Sequence, residues 1–270
     1  MTDMTQEEKD AEIKRLTKQI QDKADPAPMT EDVRKLVREA EGKMPKQAPH
    51  RNVTKEGQLY FGPYVPLCKV HPSLITGLLN RGEKLKSGTA NDSLAGHLTD
   101  QRRYEFEDKE WYLKEFKPYV DWYIQGALEW SGIQYNKEQH TTSFTLIDLW
   151  INYMKQHEYN PEHTHGGQLS WVIFLKTPDV SKEQQDFKGT STPPGSIVFH
   201  YGEPQQPKWA DHTFNYVPQE GFMWMFPAQL RHQVMPFHTD GTRITCSGNL
   251  YFNAPGMPDD IADKPNSINE

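Results

Sequence analysis

Four side chains in the second half of the sequence stand at spacings that suit metal chemistry. His163-Thr164-His165 sets two imidazoles two residues apart. On an extended segment residues i and i+2 point the same way, so both rings can reach one metal at neighbouring coordination positions. A third histidine, His232, follows the apolar run Gly221-Phe222-Met223-Trp224-Met225-Phe226-Pro227, and Arg243 comes eleven positions later (243 − 232 = 11). Alone, a His-x-His pair reads as easily as two surface histidines. With a distant His on a later strand and an Arg on the next, the pattern is far more specific. Three ligands on one face of a metal leave three positions open for a chelating ligand and O2. The Arg can hold the far carboxylate of a dicarboxylate through a two-pronged ion pair.

The elements that must position these residues are short strands. Phe144–Tyr153, Gln168–Lys176, Ser196–Tyr201, Thr213–Val217, Gly221–Phe226, His232–Met235 and Ile244–Phe252 are rich in β-branched and aromatic residues. Pro193-Pro194-Gly195, Pro218-Gln219-Glu220-Gly221 and Asp240-Gly241 separate them as turns. Phe222, Trp224 and Phe226 alternate with Met223 and Met225, which predicts a strand buried on both faces. Ahead of the strands, residues 109–131 carry apolar residues at helical spacing, with Pro118 expected to kink the helix or begin a new segment. His71 to Asn80 reads as a short helix, Arg81–Asp92 as a loop and Gly57–Val65 as a short strand. Helices followed by many short strands predict a mainly β fold with N-terminal helices, an antiparallel sandwich or jelly roll. The expected division is a charged helical extension over residues 1–48 and one domain over 49–270. Within that domain, support helices occupy about 70–131 and the β core about 141–253.

Bulk composition narrows the classes. The 270 residues carry a net charge of −7, so no basic nucleic-acid footprint is present and no nucleic-acid partner is expected. Aromatics make up 11%, enough to build a core despite a mean hydropathy of −0.84. Cys68 and Cys246 are too few for a disulfide scaffold and fit a reducing compartment. The polar, charged start of the chain is no secretory signal, and no apolar run reaches membrane-spanning length. The expectation is an intracellular, cytoplasmic protein without a membrane partner. The amphipathic helices of residues 1–48 could mediate oligomerisation.

Three stretches carry a resemblance to a known family. They are Tyr159-Asn160-Pro161-Glu162-His163-Thr164-His165-Gly166-Gly167, Glu220-Gly221-Phe222-Met223-Trp224-Met225-Phe226-Pro227-Ala228 and Arg243-Ile244-Thr245-Cys246-Ser247-Gly248-Asn249. From about Leu149 to Asn253 the sequence resembles 2-oxoglutarate/Fe(II)-dependent oxygenases, in particular a group frequent in marine bacteriophages. In such a phage setting the location would be the host cytoplasm. The resemblance implies a double-stranded β-helix (jelly-roll, cupin-like) core. It also implies Fe(II) held by His163 and His232, 2-oxoglutarate as cosubstrate with Arg243 on its distal carboxylate, and O2 as oxidant. Thr245 falls where related enzymes carry a hydroxyl two residues after that Arg. The implied reaction is hydroxylation of a substrate, peptide or small molecule, such as a prolyl side chain, with release of succinate and CO2.

The sequence departs from the wider pattern at one position. The common motif is His-x-Asp or His-x-Glu, and here the second ligand position holds His165. Three neutral imidazoles leave the metal one negative charge short. Glu162 should point to the opposite face, and Glu158 could approach from a loop. Two alternatives therefore stand: a three-His metalloenzyme with Zn or Fe that does not use 2-oxoglutarate, and a non-catalytic jelly-roll binding module. Asn152, on the same face as Trp150, is a further candidate to contact the cosubstrate. Tyr153 and Tyr159 are lesser hydroxyl donors, Trp209 and Trp224 candidate pocket walls, and Cys246 an inert thiol on the face away from Arg243.

Overall fold

The β-rich half of the chain folds as two facing antiparallel sheets. The computed structural model describes residues 62–136, 143–202 and 212–253, and the backbone of the strand Ile268–Asn269. By internal contacts the chain divides into Met1–Gln58 and Leu59–Glu270, and every described residue belongs to the second unit. The helices expected within 1–48 lie outside the described residues.

In chain order the elements are β1 (Leu67–Lys69), α1 (Pro72–Gly82), β2 (Gln101–Arg103), α2 (Phe106–Trp130), β3 (Phe144–Lys155), β4 (Asn160–His163), β5 (Leu169–Lys176) and α3 (Ser181–Asp186). Then come β6 (Ile197–His200), β7 (Thr213–Tyr216), β8 (Phe222–Pro227), β9 (Arg231–Val234), β10 (Thr242–Phe252) and β11 (Ile268–Asn269). The larger sheet runs β1-β8-β5-β10-β3-β11, with β2 also pairing to β3, and the smaller runs β4-β9-β6-β7. From β3 to β10 the chain passes repeatedly between the two sheets. This is the double-stranded β-helix that the strand pattern and the resemblance predicted.

Alternation along each strand sorts side chains into two layers. On β8, Met223 and Met225 join the cluster that packs under α2, while Trp224 and Phe226 join Val172, Phe174, Ile197 and Phe199 between the sheets. The helix α2 buries Tyr112, Phe116, Val120 and Tyr123, spaced by three or four residues, so one stripe faces the sheet. Phe116 and Tyr112 pack on Trp171 of β5 with ring centroids 4.3 and 6.0 Å apart. Full burial of side chains of this size stabilises by about 1.5–3 kcal/mol each.

Gly248 marks the tightest point of this packing. A Cβ there would lie 2.3 Å from a Trp171 ring carbon and 2.7 Å from the Asp148 carbonyl. Backbone and a wedged indole cannot both yield. Gly248→Ala is expected to destabilise the fold by about 1–3 kcal/mol, read as a fall in the urea midpoint.

Two local expectations are corrected and one is narrowed, since Pro118 begins no new segment. The helix α2 starts at Phe106 and passes unbroken through Pro118 to Trp130. Pro118 and Lys114, whose carbonyl loses its donor, both reach solvent, so water can satisfy the freed oxygen. Residues 62–65 carry no strand, and 57–61 lie outside the described residues; pairing begins after Pro66, whose carbonyl accepts from Met225 N–H. Proline has no N–H to give a ladder, which moves the strand to Leu67–Lys69. The stretch read as a loop from Arg81 begins inside α1 and later forms a 3-10 turn at Asn91–Ser93. Among the described residues, no helix is long and apolar enough to cross a membrane.

Candidate metal centre and anion pocket

Strand register brings the three histidines together. In the smaller sheet β4 pairs with β9, and His163 stands directly opposite His232. His165 lies just past β4, where its N–H donates to the Ala228 carbonyl at 2.8 Å. Their ligand atoms all lie within 4.8 Å of one another. Among the described residues this is the one cluster of His, Cys, Asp or Glu that could hold a metal ion.

Backbone carbonyls fix two of the rings. His163 Nδ1–H donates to the Pro161 carbonyl at 2.7 Å, and His232 Nδ1–H donates to the Leu230 carbonyl at 2.8 Å. Each proton sits on Nδ1, so each Nε2 keeps a lone pair for a metal. His165 Nε2 lies 3.2 Å from His232 Nε2. Two nitrogens bound at ~2.1 Å to one ion at neighbouring positions are about 3.0–3.4 Å apart, so the spacing fits a shared cation. Phe226 and Phe199 wall His232, with ring centroids at 4.8 and 6.1 Å, and Trp150 lies 5.6 Å from His165.

Burial holds all three imidazoles neutral. It lowers the pKa of His163. It pushes His165 down to about 2 and His232 to about 3, with the neighbouring imidazoles adding to both. The metal-free protein is therefore expected to lose stability as pH falls from 6.5 toward 3. The unfolded chain takes up protons there that the folded chain refuses, at about 1.4 kcal/mol per imidazole per pH unit. Urea titrations at pH ~7.5 and ~5.5 measure this, and His165→Gln should flatten the slope.

Arg243 of β10 faces the same cavity. It is 3% exposed, and no described carboxylate pairs with it. One Nη donates to the Gly195 carbonyl at 2.5 Å, the other lies 3.8 Å from Met154 Sδ, and Nε has no partner among the described residues. Phe237 lies under the guanidinium, 5.2 Å from its centre. Gly195 adopts φ +73°, a left-handed conformation that glycine takes without strain, and so aims its carbonyl at the arginine. Burial lowers the Arg243 pKa to about 10, which leaves it charged at neutral pH. A buried, unpaired cation is costly, and an anion in the cavity would offset that cost.

The polar residues beside it come from three neighbouring strands. Gln101 on β2 stands opposite Asn152 on β3, which stands opposite Thr245 on β10. Gln101 Nε2 donates to Asn152 Oδ1 at 3.0 Å, and Asn152 Nδ2 donates to Thr245 Oγ1 at 3.2 Å. Trp150, Val172, Phe174 and Val234 complete much of the wall, and no Asp or Glu is among the described lining residues.

The remaining sequence candidates lie elsewhere. Glu158 accepts from the Thr99 and Lys155 N–H groups, so it holds loops rather than a metal. Glu162 points away and pairs with Arg231 at 3.2 Å. Tyr153 packs under Arg102 on the other face of β3, Tyr159 stacks on His97, and Trp224 belongs to the core between the sheets. Trp209 lies outside the described residues. Cys246 is fully buried under α2, with its thiol pKa raised by burial. Gln101 and Phe237 were not singled out from the sequence, and Gly195 only as part of a turn; a lone Gln on a three-residue strand gives no periodic signal.

Residues 148–249 match the family model described as "Putative 2OG-Fe(II) oxygenase". That 2OG-Fe(II) oxygenase match spans Asn152, His163, His165, His232, Arg243 and Thr245. No curated protein matches the chain in sequence. Solved structures similar to the chain include a prolyl-4-hydroxylase from Pseudomonas putida, at 12% identity, TM-score 0.41, covering 68% of this chain and 90% of that one. Another is an oxidoreductase of the 2OG-Fe(II) oxygenase family from Burkholderia pseudomallei, at 13% identity, TM-score 0.46, covering 69% and 83%. A third is a prolyl hydroxylase from Trichoplax adhaerens, solved with a hypoxia inducible factor peptide, at 10% identity, TM-score 0.44, covering 70% and 82%.

Proposed function

We propose that the protein is an Fe(II)- and 2-oxoglutarate-dependent oxygenase that hydroxylates a substrate C–H bond. The observation that carries this reading is Arg243: a buried guanidinium without a carboxylate partner among the described residues, facing the cavity onto which three neutral imidazoles converge. A divalent ion in that cavity would add to the arginine's charge with no carboxylate among the described residues to balance either. A dianionic chelator supplies the missing negative charge, one carboxylate toward the metal and one toward the arginine.

In this reading the Nε2 atoms of His163, His165 and His232 hold the ion. Arg243 pairs with the distal carboxylate of 2-oxoglutarate, and the Thr245 hydroxyl donates to it. Asn152 orients that hydroxyl through its 3.2 Å contact. When bound, Fe(II), 2-oxoglutarate and O2 supply the oxidation, in which one oxygen atom ends in succinate with loss of CO2 and the other enters the substrate C–H bond. Val172, Phe174 and Val234 line the cavity with apolar surface and exclude water. An amino-acid side chain, such as a prolyl residue, is the substrate class the sequence resemblance implies.

That no described carboxylate joins the ligand cluster favours one second reading, a three-His metalloenzyme with Zn or Fe that ignores 2-oxoglutarate. That reading leaves Arg243 unexplained. The test is to add Fe(II) to the protein without oxygen, then 2-oxoglutarate, and record the visible spectrum. A charge-transfer band that needs both additions is expected. Iron binding without the band would give the second reading the lead, and no metal binding would leave a non-catalytic binding module.

A further inference from the structure

The two side-chain amides and the hydroxyl beside Arg243 form a chain whose direction can reverse. In one polarity Gln101 Nε2–H donates to Asn152 Oδ1, Asn152 Nδ2–H donates to Thr245 Oγ1, and the Thr245 hydroxyl proton is free to point into the cavity. In the other, Thr245 donates to Asn152, Asn152 donates to Gln101, and Thr245 presents only lone pairs to the cavity. Both satisfy the same two contacts. Gln101 Oε1 has no partner among the described residues, and reversal would strand Nε2 instead. Gln101 is 1% exposed, Asn152 5% and Thr245 8%, so solvent does little to choose between them. An anion held by Arg243 does choose: it accepts a proton from Thr245 and repels its lone pairs.

We propose that Gln101 is a positioning residue for the cosubstrate, setting through Asn152 the direction in which Thr245 delivers its proton to the carboxylate on Arg243. The geometry supports this independently of the histidines. The Gln101 backbone is itself pinned, its N–H donating to Asn91 Oδ1 at 2.9 Å and its carbonyl accepting from Ala90 N–H at 3.0 Å. Its side chain is thus held in register with Asn152, across one strand from the anion site. The inference rests on the assignment of 2-oxoglutarate to this pocket.

The test uses substitutions that dictate polarity. An ionised carboxylate, introduced by Gln101→Glu, can only accept, which forces Asn152 to donate to it and turns the Thr245 proton inward. Titrate 2-oxoglutarate calorimetrically into full-length protein loaded with Zn(II), which is redox-inactive, at mildly alkaline pH. Gln101→Glu is expected to weaken binding about tenfold, as is Thr245→Val, the loss of one hydrogen bond to a charged group. The double variant should bind no worse than about tenfold below wild type, because both changes remove the same proton. An additive loss of about a hundredfold would overturn the relay, since through-space repulsion from the introduced carboxylate would not need Thr245. Unchanged affinity in Gln101→Glu would overturn it as well. If Gln101→Glu does not fold, Asn152→Asp accepts from both neighbours and carries the same prediction against Thr245→Val. Failure of the wild-type protein itself to bind 2-oxoglutarate would instead remove the proposed function, and this inference with it.

Discussion

Replacing Arg243 with methionine is expected to weaken 2-oxoglutarate binding severely and, in the same protein, to raise the melting temperature. The two effects have one cause. The guanidinium lies buried against Gly195, Met154 and Phe237 with no anionic partner among the described residues. An unpaired buried charge costs the empty protein stability, and an apolar replacement of similar volume recovers about 1–4 kcal/mol. At about 2–4 °C per kcal/mol for a domain of this size, differential scanning should resolve the gain. The bound state behaves oppositely. Removing one partner of a buried, hydrogen-bonded charge pair costs about 2–5 kcal/mol, so cosubstrate affinity should fall at least ~30-fold. Arg243→Lys keeps the charge but loses the fork, and should bind 2-oxoglutarate weakly without the stability gain. If the methionine variant is less stable than wild type, the contact with Gly195 is structural, and the pocket is not strained toward an anion.

Replacing His232 with glutamine is expected to remove metal binding. Its ring is 4% exposed and its tautomer is fixed by Leu230, so it presents a prepared nitrogen donor. Loss of a residue that merely supports a ligand typically costs about 10–100-fold in metal affinity, and loss of one ligand of three should exceed about 100-fold. The measurement is the rise in melting temperature on adding Zn(II) or Fe(II), which binding to the folded state produces and which the variant should lack. His200→Gln is the matched control. It lies on the neighbouring strand β6, beside Glu162 at 3.9 Å and outside the ligand cluster, and should leave the metal-induced shift intact. Equal loss in both variants would point to general disruption of the smaller sheet.

How much of this was legible in the sequence differs from residue to residue. Period two fixed the strands well: Met223 and Met225 against Trp224 and Phe226 divide between the two layers as alternation demands. The i, i+2 rule placed His163 and His165 on one side. What linear reading could not supply is which strands meet. His163 faces His232 because β4 pairs with β9, in a register that shifts between Asn160 and His163, and no local pattern announces such a shift. Supports contributed by single loop residues were equally silent. Phe237 and Gly195 matter because of where Arg243 ends, and that depends on packing. Pro118 begins no new segment for a local reason: its missing hydrogen bond falls on the solvent side of α2, where water can substitute.

The ligand set also bears on what the protein would carry when isolated. If the three histidines hold the ion as proposed, with no oxygen donor beside them among the described residues, the site does not discriminate against late first-row ions and follows the general order in which copper and zinc outcompete ferrous iron. Occupancy would then track the supply of ions in the surrounding solution rather than any preference built into the site. A preparation from zinc-rich medium could be fully folded, fully metallated and inert. Its silence in an assay would reflect the wrong ion, curable by chelation and reloading with ferrous salt under argon.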